Sequence, residues 1–150
     1  MIQLDFELEK QKDSRLCWAA VSISIAQFYR QKGIKTQIEF AKSIFGEKYN
    51  QFCSPHKALS SYDNLLESLQ QTMTLKEIIE DLKKQQPVVA CMKDFVGWHL
   101  VVIYGVDRDE KLLVADPLRG CSKWEINKFI AEYCERYSWV YTYRIKKSIK

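Results

Sequence analysis

From Cys17 to about residue 31 the chain is apolar at almost every helical position, with Cys17, Trp18, Ala19, Ala20, Val21, Ile23, Ile25, Ala26 and Phe28 covering all faces of the wheel. A helix without a polar face belongs inside a protein, and Gly33 is placed to end it. Further on, polar and apolar positions separate. Thr36 with Glu39 forms a capping box that opens a helix over Ile38 to Phe45, which Gly46 stops. Thr74 with Glu77 repeats the device ahead of Leu75, Ile78, Ile79 and Leu82, which share one face of a helix bounded by Pro87. Between these two, the polar stretch from Glu47 to Tyr62 with Pro55 predicts a surface loop, and Asn64 to Gln70 a short helix.

After Pro87 the period changes. Val88 to Met92, Trp98 to Val106 and Leu112 to Ala115 are short and rich in β-branched residues, as strands are. A third capping box, Ser122 with Glu125, predicts a helix to about Tyr133, and Trp139 to Ile145 predicts a closing strand. The class is therefore α+β, with a helical half over about residues 1–86 and an antiparallel sheet half over about 87–150. At 150 residues this makes one compact domain, with no internal repeat and no Pro/Gly-rich linker.

Charge changes this picture little. The net charge of +4 owes much to Arg144, Lys146, Lys147 and Lys150 at the end of the chain, a solvated tail, and the aromatics sit in apolar segments instead of alternating with bases. Nucleic acid is not an expected partner. No apolar run reaches membrane-spanning length, so no membrane insertion is expected, and the charged opening residues do not form a conventional signal peptide. A cytoplasmic protein, or one exported without such a signal, and a monomer, is the expectation. Five cysteines, at 17, 53, 91, 121 and 134, are an odd number without a C-x-x-C pair, which predicts reduced thiols, no metal site and no cofactor.

The candidate chemistry starts at Cys17, the first residue of the apolar helix. A helix N-terminus and a nearby imidazolium both lower a thiol's pKa, which predicts Cys17 as the reactive cysteine and His99 as its partner. Asp116 lies where a carboxylate could orient that imidazole. A hairpin loop of Arg108-Asp109, or of Asp107 to Glu110, pairs Val101 with Asp116 and leaves His99 on the same face as a diagonal neighbour. A three-residue loop, or a bulge at Gly105, would turn Asp116 to the other face. The Cys17 backbone N–H and the Gln11 amide are candidate donors to a tetrahedral oxyanion. Plainer readings suit the other groups: Cys53, Cys91, Cys121 and Cys134 as structural thiols, His56 as a loop residue, Trp18 as packing. Trp98, on the strand face opposite His99, fits either packing or substrate contact.

Gln11 to Ala20 (QKDSRLCWAA), Gly97 to Ile103 (GWHLVVI) and Val114 to Pro117 (VADP) together resemble the papain-like cysteine peptidases. The likeness is to the small bacterial branch of secreted effector proteases and of the leader-peptide peptidase domains attached to some transporters. It implies Cys17 as nucleophile, His99 as general base and acid, Asp116 as the orienting member and Gln11 in the oxyanion hole. It also implies a protein or peptide substrate, and a cleft between a helical half and a sheet half. Papain-type enzymes carry Asn where this chain has Asp116, are longer, and differ around Arg15-Leu16-Cys17-Trp18. Acyl transfer by a transglutaminase-like relative, and a catalytically silent binding module, are the alternatives. The sequence after His99 favours peptidases over the former, and the intact set of four residues counts against the latter.

Overall fold

The computed structural model describes residues 1–150. Its helices are α1 (Cys17–Phe28), α2 (Gln37–Phe45), α3 (Pro55–Ser61), α4 (Leu75–Lys83) and α5 (Ile126–Glu132). Its strands are β1 (Ile2–Gln3), β2 (Leu65–Leu69), β3 (Val88–Lys93), β4 (Trp98–Val106), β5 (Leu112–Asp116), β6 (Gly120–Trp124) and β7 (Ser138–Ile145). The architecture is α+β, as the change of period at Pro87 implies.

Every residue of α1 from Cys17 to Ala26 is buried, which is why its sequence offers no polar face. Helices α2 and α3 pack on it from one side and β4 from the other. Both boxes ahead of α2 and α4 are closed in the two directions: Thr36 Oγ1 accepts from the Glu39 N–H and Thr74 Oγ1 from the Glu77 N–H, while each glutamate accepts from its cap residue's N–H. Ile78 and Leu82 turn the apolar face of α4 into the core. A single cluster of 35 buried residues extends from Leu4 to Ile145 and joins helices to sheet.

The sheet runs β2-β7-β3-β4-β5-β6, with the short β1 added to β4, and every pairing is antiparallel. Its membership departs from a clean division of the chain at residue 86. Residues 65–69, expected to be helical, form β2 against β7. Buried Asn64 directs the segment there by donating to the Lys146 carbonyl at 3.0 Å, so pairing with an available edge overrides local propensity. The expected loop over 47–62 contains α3, whose start signal is Ser54 at the cap and Pro55 at the first helical position. The box expected at Ser122 does not form. Residues 120–124 pair with β5, and Glu125 caps α5 itself by accepting from the N–H groups of Asn127 and Lys128.

The β4–β5 register decides whether a site exists. Val106 faces Leu112 across an odd-numbered loop, Asp107 to Lys111, which by itself would turn Asp116 away from His99. A bulge between Ile103 and Gly105 shifts the pairing back by one residue, so that Ile103 meets Val114 and Val102 meets Ala115. Each irregularity would misplace Asp116, and together they cancel. Gly105 is required beside the bulge: a Cβ there would lie 2.8 Å from the Ile2 carbonyl oxygen of β1 and 2.7 Å from a Leu113 methyl.

Candidate active site

Cys17 is the first residue of α1, and the preceding cap position is Leu16, which has no side-chain oxygen to offer. The first N–H groups of the helix therefore find no capping acceptor and leave positive potential around the thiol. The sulfur is hydrogen-bonded by the backbone of Leu100 and of Trp18. Even so, burial pushes the Cys17 thiol up to about 11, the opposite of the direction expected from the sequence. The residue is only 2 % exposed, and the cost of putting a thiolate in that environment exceeds what the backbone donors return. At neutral pH Cys17 therefore carries a neutral thiol.

His99 enters from the start of β4 and is 6 % exposed. Its Nε2 lies 2.7 Å from Asp116 Oδ1. An ionised carboxylate only accepts, so the ring hydrogen belongs on Nε2 and Nδ1 is free to receive a proton. The Tyr137 ring leans over the imidazole with centroids 5.7 Å apart.

Asp116, at the end of β5, is as buried as Cys17 but far better solvated by the protein. Oδ1 accepts from the N–H groups of Leu118 at 2.8 Å and Arg119 at 3.1 Å as well as from His99. Oδ2 accepts from the Tyr133 hydroxyl at 2.7 Å and from the Arg119 guanidinium at 3.4 Å. Burial alone would raise this carboxyl; the hydrogen bond and charge of His99, the Leu118 N–H and the Tyr133 hydroxyl outweigh it and hold the group at about 2.

Gln11 lies on the strap leading to α1, tied by its own N–H to the Pro117 carbonyl at 2.8 Å, one residue beyond Asp116. Its side-chain Nε2 donates to the carbonyls of Asp13 at 2.9 Å and Ser14 at 3.1 Å, and Oε1 is buried without a partner. Both amide hydrogens thus serve the turn before Cys17, and Gln11 does not line the cavity that Cys17 and His99 share.

That cavity has a volume of about 270 Å³ and is mostly apolar, with Cys53, Cys91 and Tyr141 among its walls and Phe52 and Trp98 half-exposed around it. Trp98 stacks on Tyr141 with ring centroids 5.3 Å apart, so it lines the cavity as well as packing. Trp18 is wholly buried and donates its indole N–H to the Gln51 carbonyl, a packing residue behind the thiol. His56 sits on α3 and is bonded to Ser68 Oγ, apart from the cavity. Larger hollows of about 740 and 750 Å³ lie open around Tyr29 and Arg30 and bring no nucleophile to a base. Sequence reasoning overlooked Tyr133 and Tyr137. Tyr137 packs directly on the imidazole and Tyr133 bonds the carboxylate that holds it, yet no local spacing links residues 133 and 137 to 99 or 116.

Solved proteins share this shape. The peptidase domain of ComA from Streptococcus, a bi-functional ABC transporter involved in quorum sensing, is similar in fold with a TM-score of 0.66 at 17 % identity, over 93 % of this chain and 98 % of that domain. A double-glycine-motif protease from an AMS/PCAT transporter, solved with its leader peptide, superposes with a TM-score of 0.61 at 16 % identity, over 95 % and 93 % of the two chains. Such identities speak for the fold alone. Among curated proteins no sequence matches. The family comparison goes further, because the match runs through residues 1–134 and takes in the helix of Cys17, the imidazole strand and the carboxylate turn. On that match the chain belongs to the papain-like cysteine protease AvrRpt2 family.

Proposed function

We propose that this cysteine protease cleaves peptide bonds of a protein or peptide substrate with Cys17, His99 and Asp116 as its triad. The observation that carries the reading is the buried 2.7 Å bond between His99 Nε2 and Asp116 Oδ1, which aims the imidazole into the cavity that holds Cys17. Because the thiol rests neutral, its proton moves to His99 Nδ1 as the sulfur attacks the substrate carbonyl carbon. The imidazolium so formed is stabilised by the Asp116 carboxylate. The tetrahedral oxyanion receives the Cys17 backbone N–H and one hydrogen of the Gln11 amide, which gives up its longer bond to the Ser14 carbonyl. Collapse breaks the C–N bond, His99 passes its proton to the leaving amine, and a thioester remains on Cys17. Water then attacks the thioester while His99 takes its proton; the C–S bond breaks and the thiol is restored. The relative solved with a leader peptide supports a peptide as the occupant of the cleft.

The test is a diverse peptide library incubated with the wild type and with Cys17→Ala. Cleavage by the first and none by the second is expected. Equal cleavage by both, or an intact library in both, contradicts the reading.

A further inference from the structure

The carboxylate that orients His99 is itself held from behind. We infer that Tyr133 is a positioning residue of the catalytic machinery, fixing the Asp116 carboxylate through its hydroxyl so that Oδ1 stays aimed at His99. This rests on the triad proposed above and extends it by one residue. Tyr133 is 1 % exposed, and its hydroxyl donates to Asp116 Oδ2 at 2.7 Å. Oδ1 is already occupied by His99 and two backbone N–H groups, so the plane of the carboxylate depends on what grips Oδ2. The only other donor there, the Arg119 guanidinium, stands at 3.4 Å and is partly open to water. Tyr133 is thus the one short, dry bond on that oxygen.

The local backbone supports the same role. Tyr133 ends α5 and is followed by Cys134 (φ 55°) and Glu135 (φ 58°), two successive non-glycine residues in the left-handed region. Such a conformation is strained for a residue with a Cβ and persists only where surrounding contacts impose it. Here the turn brings Tyr137 back to pair with Tyr133, its N–H donating to the Tyr133 carbonyl at 2.9 Å. One strained turn therefore presents one tyrosine to Asp116 and another to His99. The Tyr133 ring is wedged edge-on between Trp124 and Phe129, at centroid distances of 4.9 and 5.2 Å, so the hydroxyl has little freedom to leave the carboxylate.

The charged and titratable groups around Asp116 are His99 from β4, Arg119 from the turn after β5, Tyr133 and Cys134 from the end of α5, and Cys17 from α1. Of these, Tyr133 is altered most narrowly, because Tyr133→Phe keeps the ring and removes only the hydroxyl, which besides Asp116 meets the Cys134 thiol. The full chain carrying Tyr133→Phe is to be compared with wild type on a peptide that wild type cleaves, with Asp116→Ala alongside. The expected result is a melting temperature close to wild type at neutral pH and a kcat reduced about tenfold with KM within about twofold, the scale of one hydrogen bond to a charged group. The acidic limb of the kcat profile should also move to higher pH, since Asp116 loses a donor that favours its ionised form. Carbon-13 NMR titration of the Asp116 carboxyl should show the same upward movement without reference to turnover. An unchanged kcat and an unmoved acidic limb beside an inactive Asp116→Ala enzyme would overturn the role of Tyr133 and leave the triad standing. A loss of kcat uniform across pH, with an unmoved carboxyl titration, would reduce Tyr133 to packing. An active Asp116→Ala enzyme would overturn both.

Discussion

Cys17 and Asp116 sit at two ends of the candidate site, are 2 % and 3 % exposed respectively, and are pushed in opposite directions. The thiol at the start of α1 is raised to about 11 and the carboxyl at the end of β5 is lowered to about 2. Burial raises both groups, and the number and kind of donors decide how far that is offset. Asp116 gathers two backbone N–H groups, an imidazole, a phenol and a guanidinium, whereas Cys17 has backbone donors alone and feels the negative charge of Asp116. The sheet end of the site therefore holds a permanent charge and the helix end a latent one, which the proposed mechanism creates by proton transfer to His99.

The sharpest way to break this comparison is to remove either party to that transfer. Cys17→Ala and His99→Ala should each cost on the order of 10⁶-fold in kcat, as removal of a nucleophile or its base does in a comparable triad, and the double variant should be scarcely worse than either. His56→Ala should stay near wild type in the same peptide-cleavage assay. Additive losses would mean that the latent thiolate is not made by His99. Next in size is the permanent charge. Asp116→Ala should cost on the order of 10⁴-fold in kcat with the fold retained, while Asp116→Asn should be milder here because its amide oxygen still accepts from His99 Nε2. Comparable damage from both, measured on proteins of wild-type circular dichroism, would assign the role to charge instead of orientation.

Gln11→Ala sharpens the helix end. Loss of one oxyanion donor should lower kcat about 100- to 1,000-fold, with iodoacetamide modification of Cys17 unchanged because alkylation forms no tetrahedral oxyanion. Equal losses in the two assays would confine Gln11 to the turn it already holds through Asp13 and Ser14. The smallest effect is on stability. The Asp116 carboxyl lies below its ordinary 3.8 in the folded protein, so its contribution is complete above about pH 4 and is lost as the pH falls through about 2. On the order of 2 kcal/mol is at stake, and urea titrations of wild type and Asp116→Asn should converge over that interval. Cys17 acts at the other extreme: its contribution is present below its ordinary 9.0 and lost as the pH rises through about 11.

Most of the site could be read from the chain because its parts carry local signals. An all-round apolar helix beginning at Cys17, a strand reading WHLVVI and a strand ending in Ala-Asp-Pro each announce themselves within a few residues. The pairing of β4 with β5 came out in the expected register for a reason the sequence hides, since an odd loop and a bulge at Gly105 offset each other. The direction of the Cys17 shift was not legible. Helix-end potential is visible in a sequence, but the desolvation that defeats it arises from β4 and the cavity walls closing over the thiol. Residues 65–69 were misread because nothing local reports an open edge on β7, and Tyr133 escaped because β6 and α5 intervene between it and Asp116, 17 residues away.

The central claim, a neutral buried Cys17 thiol that becomes the acyl carrier through His99, is tested most directly by trapping the acyl-enzyme. A peptide cleaved by the wild type is mixed with excess enzyme, quenched in acid within a turnover and analysed by intact mass followed by peptide mapping. The expected result is the mass of the amino-terminal product attached as a thioester at Cys17, present in the wild type and absent from Cys17→Ala and His99→Ala. Cleavage that proceeds in Cys17→Ala, or an acyl group carried by Cys53, Cys91, Cys121 or Cys134 instead, would contradict it.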